Sequence, residues 1–288
     1  MWKRYLLAAL TTVMLAGCGR SRTNTLVVGI CDPLAVETAS ECVRSAAVRD
    51  YTAFARRLAE GTGLDVQLNY YAFDPLLEQA IRSGEVNVAV GKTWSIVEAS
   101  QGLEHPFVRL ADLTGESGHN GLAGMFIARA DRGISGIAAL MGRKVAIGPD
   151  TAYEKSYAAR RALAEAGVDP ADYRVVDGCV ATAAAVLGGD VDAGVVSSYV
   201  VEFGGLRHID RDRKLKVIGN TEAIPFMTIA VSTSVDETTR AKLRETLLGI
   251  SGDDIPEGLF STGACVQVRA NRCRFVATPS RASGDPRD

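Results

Sequence analysis

Val88-Ala89-Val90-Gly91-Lys92-Thr93-Trp94-Ser95 sets an apolar run directly before Gly-Lys-Thr, the triplet that closes a nucleotide-binding P-loop. Such a loop needs a glycine five positions before the glycine of its Gly-Lys pair, so that backbone amides wrap the phosphates. Val86 stands there, inside an expected strand, and no glycine falls between Gly84 and Gly91. The triplet therefore supplies a lysine at a strand end, with Thr93 and Trp94 opening a helix expected over 93–99. Its chemistry is that of one cation meeting a small anion, with a solvated surface lysine as the plain alternative.

Other strand ends carry groups of the same kind. Gly148-Pro149-Asp150-Thr151-Ala152-Tyr153-Glu154-Lys155 ends a strand in Gly-Pro and opens a helix in which Thr151 and Glu154 have capping-box spacing. Free amides and the positive end of a helix dipole form an anion site there, although simple capping accounts for the same residues. Asp150 and Glu154 would compete with an anion or hold an amino group on the same ligand. Gly189-Asp190-Val191-Asp192-Ala193-Gly194-Val195-Val196 runs into Ser197, Ser198 and Tyr199, again with capping as the alternative. Cys31-Asp32, Phe73-Asp74 and Asp177-Gly178-Cys179 are further polar strand ends. Ligands in open parallel sheets bind beyond such carboxyl ends.

The elements that must position these ends alternate along the chain. Strands are expected over 26–30, 66–71, 86–90, 108–113, 121–129, 144–147, 174–176, 191–196, 215–218 and 227–231. Helices are expected around 51–59, 74–81, 154–166, 181–187 and 236–248, the first with Tyr51, Phe54, Ala55, Leu58 and Ala59 on one face. Asp74 is expected as a cap with Pro75 at the first helical position. Strand–helix alternation predicts an α/β fold with mainly parallel sheets flanked by helices. Glycine-rich stretches near 115–121 and 219–225 divide it into two lobes joined by two crossings. The expected division is lobe 1 over 26–118 plus 222–280, lobe 2 over 119–221 and a loose tail over 281–288.

The first 17 residues have another purpose. Lys3 and Arg4 precede an apolar run from Tyr5 to Leu15, too short to span a bilayer and suited to a signal-peptide core. Leu15-Ala16-Gly17-Cys18 resembles a bacterial lipobox, which implies cleavage before Cys18, lipid on Cys18, and a polar tether over 18–25. An ordinary signal peptide with a chance cysteine is the alternative. The expected location is extracytoplasmic, held to the membrane by the lipid anchor. ATP is scarce there, and disulfides are permissible. Cys31 with Cys42 and Cys265 with Cys273 are close enough in sequence to clip short loops, leaving Cys179 over. Neither pair is C-x2-C and the chain has 3 histidines, so no metal site or cofactor is expected. The formal charge of −2 gives no general attraction for nucleic acid, so anion recognition must be local.

The chain resembles the phosphonate/phosphite/phosphate-type solute-binding proteins of ABC importers, within the broad group that includes sulfonate-binding relatives. The resemblance lies in Val28-Gly29-Ile30-Cys31-Asp32-Pro33-Leu34, Arg49-Asp50-Tyr51, the Gly-Lys strand end and Gly142-Arg143-Lys144-Val145-Ala146-Ile147-Gly148-Pro149. It continues through Gly189-Asp190-Val191-Asp192-Ala193-Gly194 and Pro225-Phe226, covering most of 26–250. It implies a two-lobed type II periplasmic-binding-protein fold that closes over a small oxyanion in the interlobe cleft. It also implies a membrane permease as partner, and a monomeric, non-catalytic role is expected. The family typically grips the anion with a run of serines and threonines after the second lobe's first strand; here only Thr151 keeps the hydroxyl. The expected contacts are Asp32, Lys92, Thr93, Trp94, Asp150, Thr151, Tyr153, Cys179, Ser197, Ser198 and Tyr199. Two alternatives are a ligand sensor or assembly lipoprotein on the same fold, and an enzyme with Cys179 as nucleophile. The latter needs a base from among His105, His119 and His208.

Overall fold

The computed structural model describes residues 24–46, 49–114, 121–170, 172–250 and 274–277. Cys18, His119, Cys265, Cys273, the expected signal segment, most of the expected tether and the tail expected at 281–288 lie outside them.

The chain opens with β1 (Thr25–Ile30), then α1 (Thr52–Thr62), β2 (Asp65–Tyr70), α2 (Asp74–Ser83), β3 (Val88–Lys92), α3 (Thr93–Ser100) and β4 (Phe107–Thr114). It continues through β5 (Gly121–Leu122), β6 (Gly124–Arg129), β7 (Lys144–Ile147), α4 (Tyr157–Glu165), β8 (Asp172–Val175), α5 (Cys179–Gly188), β9 (Ala193–Ser197) and α6 (Ser198–Glu202). The last elements are β10 (Leu215–Asn220), β11 (Ile224–Pro225), β12 (Met227–Ser232), α7 (Glu237–Gly249) and β13 (Arg274–Ala277).

Two sheets result. The first has the order β13-β4-β12-β3-β1-β2 and the second β10-β6-β9-β7-β8. A ribbon of β5 paired with β11 joins them, with Ile224 opposite Leu122 and Pro225 opposite Gly121. The sheets are mixed rather than mainly parallel. β1 runs parallel to β2 and β3, and β7 parallel to β8 and β9, as strand–helix units require. The first strand after each crossing breaks this pattern: β6 lies antiparallel to β9 and β10, and β12 slots between β3 and β4 antiparallel to both.

Burial explains the strand sequences. Val88, Ala89, Val90 and Gly91 of β3 are all buried, as are all residues of β9 and β12, because these strands are covered on both faces. Tyr51, just before α1, and Phe54 and Leu58 on it turn inward and join Leu243 and Leu247 of α7 in one cluster. That cluster continues through Val43, Cys179, Tyr199, Val200 and Phe226, so apolar packing bridges the two lobes.

β3 passes into α3 with no residue between them. A Cβ on Gly91 would lie 2.9 Å from Leu77 Cδ2, so this glycine serves the packing of α2 against the strand and wraps no phosphate. The helix expected over 154–166 is divided: a 3-10 turn covers Tyr153–Lys155, and α4 starts at Tyr157. Among the described residues no helix is long and apolar enough to cross a membrane.

Candidate functional site

The carboxyl ends of β1, β3, β7 and β9 meet where the lobes face each other. Lys92, at the end of β3, directs its ammonium to Asp74 Oδ2 at 2.8 Å. Burial alone would lower the Lys92 pKa. The Asp74 carboxylate, then Tyr199 and Glu154 of the opposite lobe, more than offset this and hold it well above the ordinary lysine value. Lys92 is thus a permanent cation on the lobe boundary. Asp74 lies inside the first turn of α2 rather than capping it. Its two oxygens receive Lys92 and the Cys31 thiol, the latter at 3.5 Å.

Thr93 and Ser95 are buried in the first turn of α3, and neither hydroxyl has a hydrogen-bond partner among the described residues. The Thr93 amide donates to Phe226 O at 3.1 Å, tying α3 to the second crossing. Trp94 reaches the other lobe: its ring centroid is 4.4 Å from that of Tyr153 and 5.9 Å from that of Tyr157.

From the second lobe, Ser197 Oγ donates to Glu154 Oε1 at 2.6 Å, and the Ser197 amide donates to Cys179 Sγ at 3.4 Å. The expected capping box is therefore absent. Glu154 turns inward to Ser197, and no side chain caps the 3-10 turn or α4. Tyr199 stacks on Phe226 with centroids 5.1 Å apart and planes 8° from parallel. Burial pushes the Tyr199 phenol upward, against the lowering influence of Lys92, and Cys179, Cys42 and Glu154 add to the rise. The Cys179 thiol is lowered by a hydrogen bond from Cys42, against burial, with the Lys155 charge and Ser197 assisting.

Lys92, Thr93, Trp94, Tyr153, Cys179, Ser197 and Tyr199 are thus brought to the lobe boundary. Four other expected contacts are placed differently. Asp32 is fully buried, with Arg49 Nη1 at 2.6 Å and Tyr51 Oη at 2.7 Å on one oxygen and the Leu34 amide at 2.9 Å on the other. It anchors the β1–α1 connection. Asp150 is exposed and accepts from Ser156 Oγ at 2.7 Å. Thr151 is exposed on a turn. Ser198 exchanges backbone and side-chain hydrogen bonds with Ala123, fixing the first crossing.

Cys31 and Cys42 are free thiols, contrary to the expected loop clip, because Cys31 faces Asp74 while Cys42 faces Cys179. His105 lies beside Glu104 and His208 is exposed; neither is among the partners of Cys179. Among the described residues no group of three or more His, Cys, Asp or Glu side chains is arranged to hold a metal ion.

The family model described as "ABC transporter, phosphonate, periplasmic substrate-binding protein" matches residues 43–286. The chain belongs to that family. A search of curated protein sequences finds no match. Among solved structures, PhnD1 from Prochlorococcus marinus in complex with methylphosphonate superposes with a TM-score of 0.64 at 15% identity, covering 90% of this chain and 94% of that one. XAC2383 from Xanthomonas citri bound to chloride ion gives 0.62 at 18% identity, covering 86% and 91%. The binding protein component of an ABC phosphonate transporter (PA3383) from Pseudomonas aeruginosa gives 0.60 at 18% identity, covering 87% and 82%. These likenesses show the two-lobed periplasmic-binding-protein fold. Family membership makes the chain a solute-binding component of an ABC transporter, placed outside the cytoplasm.

Sequence reasoning missed Glu154 as a partner of Ser197, Asp74 as the partner of Lys92, and Cys42 as the neighbour of Cys179. Each depends on a contact between distant segments, and spacing along the chain carries no signal for it. Tyr157 was missed as well, although an aromatic four residues beyond Tyr153 was a signal that could have found it.

Proposed function

We propose that the solute of this phosphonate-family binding protein is a small oxyanion of the phosphonate, phosphite or phosphate type, held at the lobe boundary beside Lys92. The observation that carries this reading is the pairing of a permanent cation with two unpartnered buried hydroxyls, Thr93 and Ser95, in the adjoining helix turn. A charged acceptor there would gain charge-assisted hydrogen bonds in a site sheltered from water. Tyr153, Ser197, Tyr199 and the Cys179 end of α5 complete the surface from the second lobe. Trp94 and Tyr153 form its aromatic wall. Glu154 would meet a protonated or amino-bearing part of the solute.

On this reading lobe 1 comprises 26–118 with 222–280 and lobe 2 comprises 119–221, hinged at the β5–β11 ribbon. The role is non-catalytic delivery to a membrane permease by a monomer tethered through lipid on Cys18.

Thermal unfolding with phosphate, phosphite, methylphosphonate and an alkylsulfonate tests the solute class. A ligand at about 100 times its Kd adds about 2.7 kcal/mol, which raises the Tm of a chain this size by roughly 5–10 °C. No shift with any of the four would refute the oxyanion reading.

A further inference from the structure

Two thiols come together from opposite lobes. Cys42 lies in the 3-10 turn Glu41–Ala46 on the long connection from β1 to α1, and Cys179 is the first residue of α5. The connection is pressed onto the second lobe. Gly205, just beyond α6, has no space for a Cβ, which would collide with the Cys42 carbonyl oxygen. Val43 is buried in the same cluster as Cys179, Tyr199 and Val200. Cys42 itself packs against that cluster, with its thiol placed to donate to Cys179. Each is also held from its own side: Cys42 Sγ is 3.3 Å from Ser40 Oγ, and Cys179 Sγ is 3.4 Å from the Ser197 amide and 3.8 Å from Ser197 Oγ.

We propose that Cys42 and Cys179 form a redox tie between the lobes, closed as a disulfide when the protein meets a disulfide oxidant outside the cytoplasm. The family's periplasmic setting is one where disulfides form and persist. Cys179 is the attacking sulfur, since the hydrogen bond from Cys42 and the Lys155 charge favour its thiolate. It attacks one sulfur of the oxidant's disulfide, forms a mixed disulfide and releases one oxidant thiolate. Cys42 loses its proton and attacks Cys179 Sγ, displacing the second oxidant thiolate. Two protons and two electrons leave the protein, one disulfide forms, and the oxidant becomes two thiols. The bond holds the β1–α1 connection of one lobe to the start of α5 in the other, so the oxidised protein has a restrained cleft. The bond itself does not depend on which solute the cleft holds.

The test is peptide mapping of the full chain after incubation with oxidised glutathione, with free thiols alkylated under denaturing, non-reducing conditions. The tie predicts a peptide pair joined through Cys42 and Cys179, released by dithiothreitol, and missing from the Cys42→Ser and Cys179→Ser proteins. Reduction should lower the Tm of the oxidised wild type and leave that of Cys179→Ser unchanged. Recovery of both residues as alkylated thiols, or of Cys42 joined to a different cysteine, would overturn the proposal. A cross-linked protein whose Tm ignores dithiothreitol would refute the claim that the bond restrains the lobes.

Discussion

Trp94 of α3 and Tyr153 beyond β7 stack across the lobe boundary, with centroids 4.4 Å apart and planes tilted by 34°. The chain's other tryptophan is Trp2, inside the expected signal segment, so Trp94 is the intrinsic reporter of this contact. Solute binding should change its emission saturably. Trp94→Phe should remove the signal while largely keeping affinity. Trp94→Ala should weaken binding several-fold, since an aromatic pair contributes about 0.5–1.5 kcal/mol beyond its buried area. A fluorescence titration checks all three, and emission unmoved by a bound solute would dissociate this pair from the cleft.

The Asp32–Arg49–Tyr51 cluster predicts stability rather than binding. Removing one partner of a buried ion pair strands the other, so Asp32→Ala should cost about 3–5 kcal/mol. Tyr51→Phe, which deletes one hydrogen bond to a carboxylate, should cost about 1.5–3 kcal/mol. Urea denaturation would measure both. A destabilisation below about 1 kcal/mol for Asp32→Ala would show that the cluster does not anchor the β1–α1 connection.

Lys92 makes a prediction about pH. Its folded pKa is raised above the ordinary lysine value of about 10.4, so below that pH both folded and unfolded forms hold the proton and stability is unaffected. Above it the unfolded chain releases the proton first, the folded form binds more protons, and stability falls as pH rises. The urea midpoint of the wild type should therefore decline more steeply above about pH 10.4 than that of Lys92→Met. Parallel declines would remove Lys92 as the source.

Alternation of apolar strands and amphipathic helices was enough to read most elements, because each reports its own burial. β7 falls on the expected 144–147, and Asp236 caps α7 by accepting from the Thr239 amide at 3.0 Å. The site was less legible. Thr151 has the spacing of a cap and the chemistry of an anion donor, yet its turn points outward and Glu154 answers to Ser197 across 43 residues. Asp32 looked like a ligand group at a strand end, but Arg49 and Tyr51 close around it. Polar residue types mark where a strand ends; whether they meet solvent, solute or one another is decided by segments far away in the chain. The same holds for Cys42, whose short-range partner by sequence, Cys31, faces Asp74 instead.

Calorimetric titration of the full chain with methylphosphonate, phosphite and phosphate, repeated on Lys92→Ala and Thr151→Ala, tests the central claim most directly. A hydrogen bond to a charged group is worth about 1.5–3 kcal/mol, so Lys92→Ala should bind the recognised anion at least about tenfold more weakly. Thr151→Ala, altered at an exposed turn, should bind as the wild type does. Unchanged affinity in Lys92→Ala, or a loss confined to Thr151→Ala, would contradict an oxyanion site built on the end of β3.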